Sequence, residues 1–201
     1  MRIKKVCYQD LETASLRCNS KNYITRYSPP ATFSMSTPYL ALLEALRSSC
    51  NLPEFPDPLP STQMDLELEN GPTITIDIDE ETNFINLFSP VGVYLPDHEL
   101  DLLKKIAEAN FLWTATEGST LSVRPEIQTV YLAYQTPVLS LNGTEFVRLV
   151  EKFVEIAKRW QKIVANPAQE SIYKEGDAAV SASEELPAPP LPGQPGNFMM
   201  A

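Results

Sequence analysis

Two alternating runs joined by an Asn-Gly pair constrain this chain more than any other feature. Met64, Leu66 and Leu68 interleave with Asp65, Glu67 and Glu69; beyond Asn70-Gly71, Ile74, Ile76 and Ile78 interleave with Thr73, Thr75, Asp77 and Asp79. A period of two sends the two sets to opposite faces of a strand, and Asn-Gly takes the positive φ angles of a tight hairpin turn. The pair is predicted to be a hairpin with one face of leucine and isoleucine, which other elements must cover. After Glu80-Glu81-Thr82-Asn83, the run Phe84-Ile85-Asn86-Leu87-Phe88 is apolar on both faces, as a central third strand should be.

Helical signals flank this meander. Thr37 is placed as an N-cap with Pro38 at the first helical position, Leu40, Leu43 and Leu46 share a face, and Asn51-Leu52-Pro53 stops the helix. Asp97 is expected to cap HELDLLKKIAEAN, which carries two apolar stripes: Leu100, Leu103 and Ala107, and Leu102, Ile106 and Ala109. A short helix with two such stripes can pack one on the sheet and offer the other to a second copy. Leu121-Ser122-Val123 and the alternating Val130, Leu132 and Tyr134 add two strands. Asn142 and Glu145 form a capping box for a last helix bearing Phe146, Leu149, Val150, Phe153, Ala157, Trp160 and Val164. The expected order is helix, three-strand antiparallel meander, helix, two strands, helix, which makes the class α+β.

Charge divides the 201 residues in three. Residues 1–34 carry six basic and two acidic side chains, residues 35–168 nine and 19, and residues 169–201 one and five, for a total of −10. Such acidity repels phosphate backbones and anionic membranes, so neither nucleic acid nor a membrane is expected as a partner. The segment 1–34 has no apolar period and is read as a disordered leader, or as sequence preceding a true start at Met35. Residues 35–168 are the folded unit. The tail 169–201, with five of the 18 prolines among Ala, Ser and Gly, is read as disordered. Its PAPPLP segment suits a spacer better than a polyproline ligand, and the apolar Asn197-Phe198-Met199-Met200 is a candidate docking peptide. Cys7, Cys18 and Cys50 are odd in number and lack metal-ligand spacing, which fits a reducing compartment. No apolar run reaches bilayer length, and the beginning lacks the apolar region of a signal peptide.

Catalytic signatures are missing. The one histidine, His98, falls at a helix start; seven glycines form neither a dinucleotide fingerprint nor a P-loop; no G-x-S-x-G occurs. Asp77-Ile78-Asp79-Glu80-Glu81 lacks the glycine and terminal glutamate spacing of a calcium loop and reads as an acidic hairpin. Asn142-Gly143-Thr144 fits a glycosylation acceptor but is taken as a helix start. Neither an enzyme, a cofactor nor a metal is expected.

The order of these elements, together with YLALLEALRSSCNLP, TITIDID, LLKKIAEANFLW, GSTLSVRPEIQTVYLAY and FVRLVEKFVEIAKRWQKIV, resembles the class I type III secretion chaperones, the Tir-chaperone or CesT-like group, over about the middle two-thirds of the chain. The resemblance implies an acidic cytoplasmic bacterial homodimer. It implies that the protein holds the N-terminal chaperone-binding segment of a secreted effector extended, without ATP, and brings it to the secretion apparatus, with the secretion ATPase as a further partner. Carried over by position, Leu40, Leu43, Leu46, Leu66, Leu68, Ile74 and Ile76 become candidate groove walls, with ordinary core as their other reading. Leu102, Ile106, Trp113, Tyr131 and Ala133 become candidates for the dimer contact. Tyr131, Ala133 and Gln135 lie opposite Val130, Leu132 and Tyr134, and the sequence leaves open which set serves core and which the partner. An adaptor or regulatory dimer with the same fold and no secreted cargo, as in YbjN-like proteins, is the alternative. The leader, the tail and the proline-rich turn Asp57-Pro58-Leu59-Pro60 depart from the family's compact unit.

Overall fold

A computed structural model describes residues 1–8, 37–56, 62–79, 81–168 and 170–173. In chain order the elements are β1 (Ile3–Tyr8), α1 (Thr37–Cys50), β2 (Gln63–Leu68), β3 (Thr73–Asp79), β4 (Phe84–Val93), α2 (Glu99–Asn110), β5 (Thr120–Arg124), β6 (Thr129–Pro137) and α3 (Gly143–Ala165). The strands form one sheet in the order β1-β2-β3-β4-β6-β5, every neighbouring pair antiparallel. The expected α+β order is present from α1 onward.

Alternation sets the two faces. Met64, Leu66, Leu68, Ile74, Ile76, Ile78, Ile85, Leu87, Val130, Leu132 and Leu121 are buried on the inner face. There they meet Tyr39, Leu42, Leu43 and Leu46 of α1 and Phe146, Val150, Phe153, Ala157 and Trp160 of α3 in one core. Burying each large apolar side chain contributes about 1.5–3 kcal/mol, so this face carries the fold. α3 lies against β4, β6 and α1. Its N-terminus has the capping box read from the sequence: Glu145 N donates to Asn142 Oδ1 at 3.0 Å, and Asn142 N donates to Glu145 Oε2 at 2.9 Å. The Tyr39 hydroxyl donates to Asp79 O at 2.9 Å, pinning α1 to the end of β3.

α1 and α3 meet at Gly143, where a Cβ would sit 2.6 Å from Ala45 Cβ. Alanine favours a helix over glycine by up to about 1 kcal/mol. Here the overlap reverses that sign, and Gly143→Ala is expected to destabilise by about 1–3 kcal/mol in urea unfolding followed by circular dichroism.

Four expectations change. Residues 3–8, placed in a patternless leader, form β1. A bulge between Ile3 and Lys5 inserts one residue, so the alternation that reveals a strand is broken there. β4 runs on to Val93, past Phe88, with a second bulge between Pro90 and Gly92 that accommodates the proline. Asp97 does not cap α2: it lies in a single 3-10 turn, Pro96–His98, and His98 occupies the N-cap without a side-chain bond. Finally, the fold extends past Ala168. Ile172 is buried, Lys105 Nζ donates to Glu170 O at 2.5 Å, and the Tyr173 hydroxyl donates to Glu108 Oε1 at 3.0 Å, strapping residues 170–173 over α2. Residues 9–34 of the leader, the turn Asp57-Pro58-Leu59-Pro60, and the tail from 174 on, with PAPPLP and the 197–200 segment, lie outside the described residues.

Candidate functional site

Among the described residues, the polar groups singled out in the sequence have structural surroundings. His98 is exposed at the start of α2, and among the described residues no cluster of His, Cys, Asp and Glu could hold a metal ion. In the acidic hairpin, Asp79 Oδ1 accepts from Glu81 N at 3.0 Å and Thr82 N at 3.1 Å. The Thr82 hydroxyl and these amides hold its carboxyl below the usual carboxylate range, so Asp79 builds a turn. Cys7 and Cys50 are free thiols, and burial pushes Cys50 up, away from its reactive form.

The expected groove walls separate sharply. Leu43, Leu46, Leu66, Leu68, Ile74 and Ile76 are buried in the core; Leu40 alone is exposed. Tyr39, Leu42, Leu43 and Leu46 follow the i, i+3, i+4, i+7 spacing of a single stripe and turn inward together, which leaves Leu40 off the stripe. Apolar periodicity finds the face that packs, and in this conformation that face is buried in the core.

The outer face of the sheet is where side chains remain available. Cross-strand registers align Cys7, Asp65, Thr75, Phe88, Ala133 and Thr120 in one row, and Asp77, Asn86 and Gln135 in another. On β2 and β3 the face is acidic, with Thr75 Oγ1 donating to Asp65 Oδ1 at 2.6 Å and Asn86 Nδ2 donating to Asp77 Oδ2 at 3.3 Å. On β4 and β6 it turns apolar through Phe84, Phe88, Tyr131 and Ala133. Val130 and Leu132 go to the core, Tyr131, Ala133 and Gln135 to the outer face, which resolves the two faces of β6.

A second apolar surface starts at α2. Leu102 and Ile106, expected at a dimer contact, are 1% and 7% exposed and face the core with Ala109. The other stripe faces out: Leu100 is 65% and Leu103 41% exposed, followed by Phe111 at 69%, Leu112 at 70% and Trp113 at 52%. Leu112 and Trp113 have φ of 52° and 53°, left-handed values unfavourable for side chains of this size. The turn after them is anchored. Glu117 N donates to Trp113 O at 2.8 Å, Trp113 Nε1 donates to Thr120 Oγ1 at 3.3 Å, Arg159 donates to Ala115 O, and Lys152 Nζ pairs with Glu117 Oε2 at 3.1 Å. α3 thus holds outward a segment whose side chains are apolar. Of these three, the family resemblance points to Trp113 alone; contiguous Phe-Leu-Trp after a helix end is the available signal.

From α1 onward the chain is an antiparallel sheet, β2 to β6, with three helices, and this part matches the fold of solved secretion chaperones. Compared with solved structures, the chain is similar to a chain of the heterodimeric ExoU–SpcU complex from the type III secretion system of Pseudomonas aeruginosa, at 14% identity and a TM-score of 0.50, covering 62% of this chain and 98% of that one. It is also similar to a chain of the HopA1–SchA chaperone–effector complex, at 16% identity and a TM-score of 0.49, covering 62% and 94%. No curated protein matches it. The model of the Tir chaperone protein (CesT) family matches residues 41–161, and the chain belongs to that family.

Proposed function

We propose that the protein is a type III secretion chaperone that works as a homodimer in the bacterial cytoplasm, binds the N-terminal segment of a secreted effector, and keeps that segment extended for the secretion apparatus without turning over a substrate. Membership of the Tir chaperone family supports the class. The observation that carries the paired, binding role is the exposed series Leu100, Leu103, Phe111, Leu112 and Trp113, held outward in part by unfavourable backbone angles. A monomer gains nothing in water from such a surface, whereas a second copy or a cargo covers it. Tyr131 and Ala133 on the outer face extend the candidate contact; Leu102 and Ile106 support it from beneath. Among the described residues, no helix is long and apolar enough to cross a membrane.

Capture on the full chain from its native cytosol tests this. The reading expects one or a few exported proteins, released when their early residues are deleted. A resident protein held independently of any early segment would favour the adaptor reading instead.

A further inference from the structure

The matched family unit begins at residue 41, so the sheet it defines would end on β2. In this chain it does not: β1, separated from α1 by residues 9–36, is laid along the outer edge of β2. A sheet edge presents unpaired backbone donors and acceptors and accepts any strand of fitting pattern. The pattern of β1 fits on both faces. Ile3, Val6 and Tyr8 pair with Leu68, Leu66 and Met64 on the core side, while Lys5 and Cys7 pair with Glu67 and Asp65 on the acidic side. Arg2 Nε reaches Glu69 Oε2 at 3.1 Å. Yet Ile3, Val6 and Tyr8 are only partly buried, whereas their β2 partners are buried, and the ladder is broken by the bulge before Lys5. β2 is packed as part of the core; β1 is added to it. At the other end of the sheet the β5 edge is engaged by a side chain: Asn110 Nδ2 donates to Leu121 O at 3.0 Å, and Leu121 N donates to Asn110 Oδ1 at 2.9 Å.

We propose that β1 is an intramolecular occupant of the β2 edge, displaced when an extended cargo strand with apolar side chains on one face and lysine or arginine on the other binds there. The inference rests on the chaperone reading and adds that this chain keeps its own cargo edge covered until such a strand displaces β1. Because β1 holds the site closed, the apparent affinity for cargo is lowered by the fraction of time the edge is covered.

The probe is a fluorescein-labelled peptide of residues 1–8 carrying Cys7→Ser, titrated by anisotropy into three full-length proteins. The first is unaltered. The second, Ile3→Asp with Val6→Asp, removes the apolar grip of β1. The third, Asp65→Cys, faces native Cys7 across the strands and locks β1 when oxidised. The released variant is expected to bind the peptide about tenfold or more tighter than the unaltered chain, and the oxidised lock about tenfold or more weaker than its own reduced form. Equal affinity of the oxidised and reduced lock overturns the proposal, since the peptide would then be using the free side of β1 or another surface. That comparison holds within one chain, so it decides even where the released variant unfolds. Run with a captured exported protein, the same series separates the two readings. If that protein binds locked and unlocked chains alike, the chaperone reading stands and the gated edge falls. If the peptide shows the expected ranking but no exported protein binds any form, the edge site stands and the chaperone reading falls.

Discussion

The double substitution Leu100→Glu, Leu103→Glu is expected to produce a folded monomer. Both side chains are already solvent-exposed in the protomer, so the core loses nothing and the far-ultraviolet circular dichroism spectrum should be unchanged. The cost falls on association. Central apolar anchors in an interface each contribute about 2 kcal/mol or more, and each 1.4 kcal/mol is about tenfold, so two buried carboxylates should weaken the proposed dimer by roughly three orders of magnitude. Light scattering at micromolar concentration should then read the protomer mass. Leu102→Ala is the contrasting variant: its side chain lies in the core, so it should lower stability by about 2–5 kcal/mol instead. A dimer that persists through the double substitution would place the contact elsewhere, on the outer sheet face around Tyr131 and Ala133.

Trp160→Ala is expected to have the largest effect on stability. Trp160 is fully buried near the end of α3, and its Nε1 has no hydrogen-bond partner. Its contribution is therefore packing within the core. Truncation leaves a cavity costing about 3–5 kcal/mol, a large part of the 5–15 kcal/mol that holds a typical domain together. Trp160→Phe keeps most of the volume and removes an unpaired buried N–H, so it should cost less than about 1.5 kcal/mol. Urea midpoints for the two variants check this directly; a similar loss for both would mean that the indole nitrogen matters more than the ring.

Trp160 and the α2 leucines also mark how far the sequence could be read. Trp160, Val150 and the capping box of α3 were legible because long helical periodicity and reciprocal Asn142–Glu145 bonding are local properties. The β2–β3 hairpin was legible for the same reason: alternation and Asn-Gly are written within sixteen residues. The role of each α2 stripe was not. Both stripes are apolar at helical spacing, and only the position of the sheet decides that Leu102 and Ile106 turn inward while Leu100 and Leu103 face out. Groove walls met the same limit, since Leu66 and Ile74 alternate identically whether they line a core or a cleft. β1 escaped notice because its bulge places Ile3 and Val6, three residues apart, on a common side. A left-handed turn at Leu112 and Trp113 has no local signature at all; neither residue favours it, and the contacts that hold the next few residues, from Arg159 and Lys152 of α3, come from far along the chain.

The central claim, that this scaffold grips an unfolded leader belonging to another protein, is tested most directly by hydrogen exchange on the purified complex with its captured partner. The account predicts new amide protection confined to an early segment of the partner, matched by changes along the β2 edge and the α2 surface, with the partner's remaining domains exchanging as they do alone. Protection spread over a folded partner domain, with the early segment exchanging freely, would contradict it.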